Sequence, residues 1–248
     1  MIDVIPLSAC HTEQYGTISV TSLLSFNNYF DPRNAAFGSL LVFNDYRVPP
    51  AAGFKMHPHH NCEQLFFVVE GTQKCVDTLN NSLVLKPVTV QRVTAGTGYA
   101  RETANYGNSM LRFMSVRFQP RCLHTHPYHE MRTFSPSLMA DHLLNVVSGR
   151  AESPSKGLPL PFDVDADVYL ASLEQTPLEH FVPAGSKTFI YVVSGRIRMD
   201  RQILQPGDHV RVSGPETVSL AAAPRAWLIV IDMRLSGVPV RCFVQGTV

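Results

Sequence analysis

Apolar and polar residues alternate with a period of two through most of this chain, in short runs broken by Gly, Pro, Asn and Asp. Runs of this kind fall at 17–23, 39–44, 64–70, 73–78, 90–94, 110–118, 167–173, 188–194, 196–200, 209–213, 217–221 and 226–233. Period-two patterning is the signature of strands, and many short strands at close spacing predict an antiparallel sandwich or barrel. Asn80-Asn81 reads as a hairpin turn, because Asn tolerates positive φ. The segment 140–148 fits a short amphipathic helix or a strand, and periodicity alone does not separate the two.

The pattern also repeats. Phe67-Val-Val-Glu-Gly71 recurs as Tyr191-Val-Val-Ser-Gly195, and the turn Leu85-Lys-Pro87 recurs as Leu204-Gln-Pro206. An all-β chain made of two tandem antiparallel β-barrels follows. The expected boundaries are a first barrel over 1–120, a linker over 121–165, and a second barrel with a C-terminal tail over 166–248.

Composition changes this picture little. The chain has 248 residues, a net charge of +1 and 45% hydrophobic residues, ample for a large core and without the basic excess of a nucleic-acid binder. No run approaches the roughly 18 apolar residues of a membrane span. The N-terminus lacks a basic, apolar leader, and the five cysteines are scattered and odd in number, so reduced thiols in the cytoplasm are expected. Cys122, next to Arg121 at a strand end, is the thiol expected to respond to oxidants.

Candidate chemistry concentrates at Met56-His57-Pro58-His59, just before the apolar run at 64–70. Residues two apart on a strand share a face, so His57 and His59 converge on one point, and parity adds Glu63. Imidazoles and a carboxylate suit a divalent transition metal, iron(II) among them. A second cluster, His124, His126 and His129, falls in the linker and reads first as solvated loop. Aligning Gly195 with Gly71 puts Phe181 and Pro183 where His57 and His59 stand, with His180 out of parity. The second barrel is therefore expected to be structural.

The order Ser25-Phe-Asn-Asn-Tyr29, Phe37-Gly-Ser-Leu-Leu41, Asn44-Asp-Tyr-Arg47, His57-Pro-His59, Val69-Glu-Gly71 and Ala95-Gly-Thr-Gly98 resembles the pirin family of cupins. The resemblance implies a bicupin of jelly-roll-like barrels related to quercetin 2,3-dioxygenases, and a strand at 140–148. It also implies a metal in the first barrel, held by the two histidines of His-Pro-His and by a His and a Glu after Ala-Gly-Thr-Gly. Here the second pair falls on Arg101 and Thr103. A guanidinium has no free lone pair and repels a cation.

Two readings follow. One is a small-molecule-binding or redox-responsive protein without a cofactor. Its pocket of His57, His59, Glu63, Arg101 and Thr103 takes an anionic or flavonoid-like ligand, with Arg101 bonding Glu63 or the anion. The other is a quercetin 2,3-dioxygenase-like oxygenase with one divalent metal on His57 and His59 and Glu63 as third ligand or base. Neither calls for nucleic acid or a membrane, and either leaves room for a protein partner.

Overall fold

The computed structural model describes residues 1–150 and 159–234, which divide into two compact units. One is residues 11–134. The other joins Met1–Cys10 to the described residues from Ser135 onward.

The chain opens with β1 (Ile2–Ile5). The first unit then comprises β2 (His11–Tyr15), β3 (Ile18–Ser22), β4 (Leu40–Val48), β5 (Gly53–His59), β6 (Glu63–Glu70) and β7 (Gln73–Asp77). It continues with β8 (Ser82–Leu85), β9 (Thr89–Thr94), β10 (Tyr99–Asn105), β11 (Leu111–Phe118) and β12 (Tyr128–Thr133). These form two sheets, β12-β9-β6-β11-β4-β3-β2 and β5-β10-β7-β8. The apolar run of β6 lies in the middle of the larger sheet, so both of its faces are covered and Leu65, Phe66, Phe67 and Val68 are all buried. Phe66 and Val68 join Tyr46, Leu85, Val93, Leu111 and Phe113 in the core between the sheets. Asn80, at φ +65, makes the turn between β7 and β8, as its residue type predicts.

The second unit contains β13 (Leu144–Ser148), β14 (Leu160–Pro161), β15 (Ala166–Leu173), β16 (Leu178–Val182), β17 (Ser186–Met199), β18 (Gln202–Leu204), β19 (His209–Ser213) and β20 (Glu216–Arg234). Its strands run β1-β19-β17-β20-β15-β13-β14. The two longest, β17 and β20, carry register shifts near Ser194 and Gly195, and beyond them pair with β18 and β16. One continuous sheet thus supplies both layers around a core of Ile190, Val192, Val210, Leu220, Leu228 and Val230.

The all-β, two-unit architecture matches the alternation in the sequence, with open facing sheets in place of closed barrels. Two local expectations change, and one open alternative resolves. β1 pairs with β19, so the first ten residues belong with the second unit and not with 1–120. The span 121–165 is no linker: β12 adds to β9 of the first unit, and β13 to β15 of the second. The segment 140–148 resolves as a strand from Leu144, preceded by a bridge at Ala140.

Candidate functional site

The histidine segment lies on β5, against β10. Gly53 makes the pairing feasible: a Cβ there would stand 2.4 Å from the Thr103 carbonyl oxygen. His59 faces Tyr99, and His57 faces Arg101. β10 starts from the turn Ala95-Gly-Thr-Gly98, where the Gly98 N–H donates to the Ala95 carbonyl at 2.8 Å. Alternation then sends Tyr99, Arg101 and Thr103 inward, with 5%, 2% and 5% exposure, and leaves Glu102 outside.

Arg101 is locked by several contacts. Its Nε donates to Thr103 Oγ1 at 3.1 Å, Nη1 to Gln91 Oε1 at 2.8 Å, and Nη2 to the Cys75 thiol. The guanidinium lies over the Phe66 ring at 3.8 Å. None of these partners is a carboxylate. A cation is thus held inside the fold by neutral acceptors and an aromatic face, with its charge uncompensated.

The imidazoles lie beside it with their rings 4.6 Å apart. His57 Nδ1 donates to the Lys55 carbonyl at 2.8 Å, which leaves the ring's lone pair on Nε2. His59 Nδ1 accepts from Gln64 Nε2 at 3.3 Å, while Tyr99 donates to Gln64 Oε1 at 2.6 Å. Burial, then the charges of Arg117, His57 and Arg101, hold His59 down to about 2. His57 is lowered mainly by burial, with its bond to Lys55 opposing the shift. Both rings are neutral near pH 7. Burial raises the Cys75 thiol, against the pull of Arg101.

Glu63 is not part of this group. Parity fails between His59 and Glu63 because the chain turns through Asn61, at φ +48, and re-enters β6 one position out of step. Gln64 takes the interior place. Glu63 faces the other side of the sheet, fully buried, with Arg92 Nη1 at 3.7 Å. Arg92 in turn lies over Tyr128 at 4.6 Å. Glu63 is therefore neither a third ligand nor a base for the histidines, and Arg101 does not bond it.

One interior residue was hidden in plain alternation. Arg117 on β11 stands opposite Gln64 on β6, so it shares the interior face with Phe113 and Ser115. The sequence signal was its even spacing from Phe113 within an apolar strand. His124 and Cys122 are exposed, and His126 Nδ1 bonds the adjacent Pro127 carbonyl at 2.7 Å, as suits a surface loop.

The donor set does not fit the four-ligand metal that the pirin resemblance implies. His57 and His59 are followed by a cation and a hydroxyl where two more ligands would be needed. Among the described residues, no group of three His, Cys, Asp or Glu side chains could hold a metal ion.

In the second unit His180, not Phe181, points inward. It faces Val218 across β16 and β20. Its Nε2 meets Asp232 Oδ1 at 2.9 Å, and Thr188 donates to the same oxygen at 2.6 Å. Phe181 is 60% exposed. Counting back from Gly195 missed this by one residue, because the two hairpins differ in length. Among the described residues no helix is long and apolar enough to cross a membrane.

Comparison with known proteins agrees with this architecture. The family model described as Pirin matches residues 8–116, and that of the quercetinase C-terminal cupin domain matches residues 151–233. A Zymomonas mobilis protein named provisionally as a quercetin 2,3-dioxygenase is 28% identical over 88% of this chain and 92% of its own. The quercetin 2,3-dioxygenase of Escherichia coli is 26% identical over 88% of this chain and 93% of its own. The crystal structure of the bacterial pirin YhhW of Escherichia coli, in complex with nickel(II), superposes with a TM-score of 0.86. It is 24% identical, with 94% of this chain and 99% of that one covered. With one model on each half of the chain and a shared bicupin fold, the protein belongs to the pirin family.

Proposed function

We propose that the first cupin domain binds a small anionic molecule directly, at Arg101 with His57 and His59, in the place where a pirin-type metal set would need two more ligands. The observation that carries this is Arg101 itself, 2% exposed, pinned by Gln91, Cys75 and Thr103, and without a carboxylate partner. Its fork suits a carboxylate or a similar planar anion. Purified protein should hold well under one equivalent of iron, nickel, copper or zinc, and as isolated should cleave flavonols slowly or not at all. The Arg101→His, Thr103→Glu variant should gain at least about 100-fold in nickel or zinc affinity, because two ligands replace a cation and a hydroxyl. Stoichiometric metal held through His57 and His59 in the unaltered protein defeats the proposal.

A second reading, a quercetin 2,3-dioxygenase-like oxygenase, rests on the names of the Escherichia coli and Zymomonas relatives and on the nickel of the YhhW structure. One local feature favours it: His57 commits Nδ1 to Lys55 and leaves Nε2 available as a ligand. Metal-dependent ring opening that His57→Ala abolishes is the result that selects it. A cytoplasmic setting, with Cys122 beside Arg121 as an oxidant-responsive thiol, is compatible with either reading.

A further inference from the structure

We infer that the ligand of the first domain is a hydroxylated aromatic carboxylate, its anionic group met by both Arg101 and Arg117 and its hydroxyl by Asn44. This rests on the reading that the interior takes an anion.

Arg117 is the second interior cation. Its Cα lies opposite Gln64 on one side and Val42 on the other, so its side chain shares the face of Gln64, the residue that bonds both His59 and Tyr99. Its guanidinium is over Phe26 at 5.2 Å, and its Nε is buried without a hydrogen-bond partner. Neither Arg117 nor Arg101 forms an ion pair with a carboxylate among the described residues. Two uncompensated guanidiniums on one interior are unfavourable by themselves, and an anion relieves both.

Asn44 supplies the independent observation. It is 0% exposed, its Nδ2 donates to the Tyr46 hydroxyl at 3.1 Å, and its Oδ1 has no partner. Its register neighbours place it. Asn44 stands beside Ser115 on β11, Ser115 beside Phe66 on β6, and Phe66 beside Gln91 on β9. Arg101 bonds the Gln91 end of this row and covers Phe66. Three strand spacings make the row about 14 Å long, which suits one small ring with substituents. A buried acceptor requires a donor, and the guanidiniums require an anion. Tyr46 and Phe113, stacked on each other at 4.9 Å, add an aromatic surface in the same core as Phe66.

The test is calorimetric titration of the full chain with benzoate, phenol and 2-, 3- and 4-hydroxybenzoate. At least one hydroxybenzoate should bind about tenfold tighter than benzoate, the low end for a hydrogen bond that would otherwise be unmade. Phenol should bind weakest. Asn44→Leu should erase the hydroxyl preference, so that every hydroxybenzoate binds no tighter than benzoate. Arg117→Met should weaken every carboxylate at least about tenfold. Arg117→Lys, which keeps the charge but not the fork, should weaken them several-fold and serves where the Met variant does not fold. Equal affinity for benzoate and all three hydroxybenzoates overturns the inference. So does wild-type affinity in Arg117→Lys, and so does a failure of every carboxylate to bind metal-free protein. If benzoate binding depends on Arg101 but not on Arg117, this inference falls and the anion-binding reading stands. Stoichiometric metal on the histidines removes that reading itself.

Discussion

In the first domain Val42, Arg117 and Gln64 stand abreast on β4, β11 and β6; in the second, Asp167, Asp232 and Thr188 stand abreast on β15, β20 and β17. The repeated fold thus presents one interior row twice, basic in one copy and acidic in the other. The copies also differ in how the charge is met. Asp232 has His180 and Thr188, and Asp167 has Ser148, Arg150 at 2.7 Å and Arg234 at 3.3 Å. Among the described residues, Arg101 and Arg117 form no such ion pair. A buried charge closed by the protein's own groups holds a fold together, whereas one left open is suited to receive something. By that measure the buried carboxylates of the second domain serve its fold, and it is richer in ionisable side chains than its sequence alignment suggests.

The contrast breaks most readily at Asp167. Asp167→Ala removes a carboxylate that is 2% exposed and bonded to three groups, and should destabilise the protein by roughly 2–3 kcal/mol in urea unfolding. The figure stays modest because Arg150 and Arg234 reach water once released. A loss below about 0.5 kcal/mol would show that the network contributes little, since surface changes fall in that range.

Acid sharpens the comparison next. His209 in the second domain is 0% exposed, stacked on Phe189 and next to the Cys10 thiol, and burial, with Arg211, holds it down to about 3. The unfolded chain takes a proton at this residue below about pH 6.5, and the folded one does not until near pH 3. Stability should therefore fall with decreasing pH across that window, by up to about 1.4 kcal/mol per pH unit from this group. His209→Phe should flatten the slope. An unchanged slope in that variant is the outcome that contradicts it.

A smaller effect is expected for Arg101→Met. Three hydrogen bonds are lost and an uncompensated cation is removed, so stability should change by less than about 1 kcal/mol in either direction. A loss as large as that of Asp167→Ala would mean that Arg101 is structural and would end the contrast. The least effect on the fold should come from oxidation. Under mild peroxide, peptide mass spectrometry should find Cys122 modified first, because it is exposed, while burial pushes Cys10 and Cys62 up to about 11. Uniform or negligible modification would remove Cys122 as a sensor. Cys242 lies outside the described residues.

Strands and the repeat were legible because period-two alternation and the Val-Val-x-Gly turns are local. The facing of His57 by Arg101 was legible only through family spacing, which fixes register between strands more than forty residues apart. Glu63 was misread because parity does not survive the turn at Asn61, and His180 because the hairpin before Gly195 differs from its counterpart. Arg117 was passed over because a charge within an apolar strand looks like an outward residue until its neighbours are known. The first ten residues were misassigned for a related reason: nothing in Ile2–Ile5 announces a partner at Val212.

That pairing has a consequence for the order in which the protein is made. Among the described residues, every partner strand of the first domain lies within 11–134, so that domain can close while the rest of the chain is still being synthesised. β1 has no sheet to join until β19 emerges some two hundred residues later. At about 5–20 residues per second it waits on the order of 10–40 s as an unpaired apolar strand beside the ribosome. β1 is therefore a strand long exposed to other partners, and a bulky group attached beside it should disturb the second domain rather than the first.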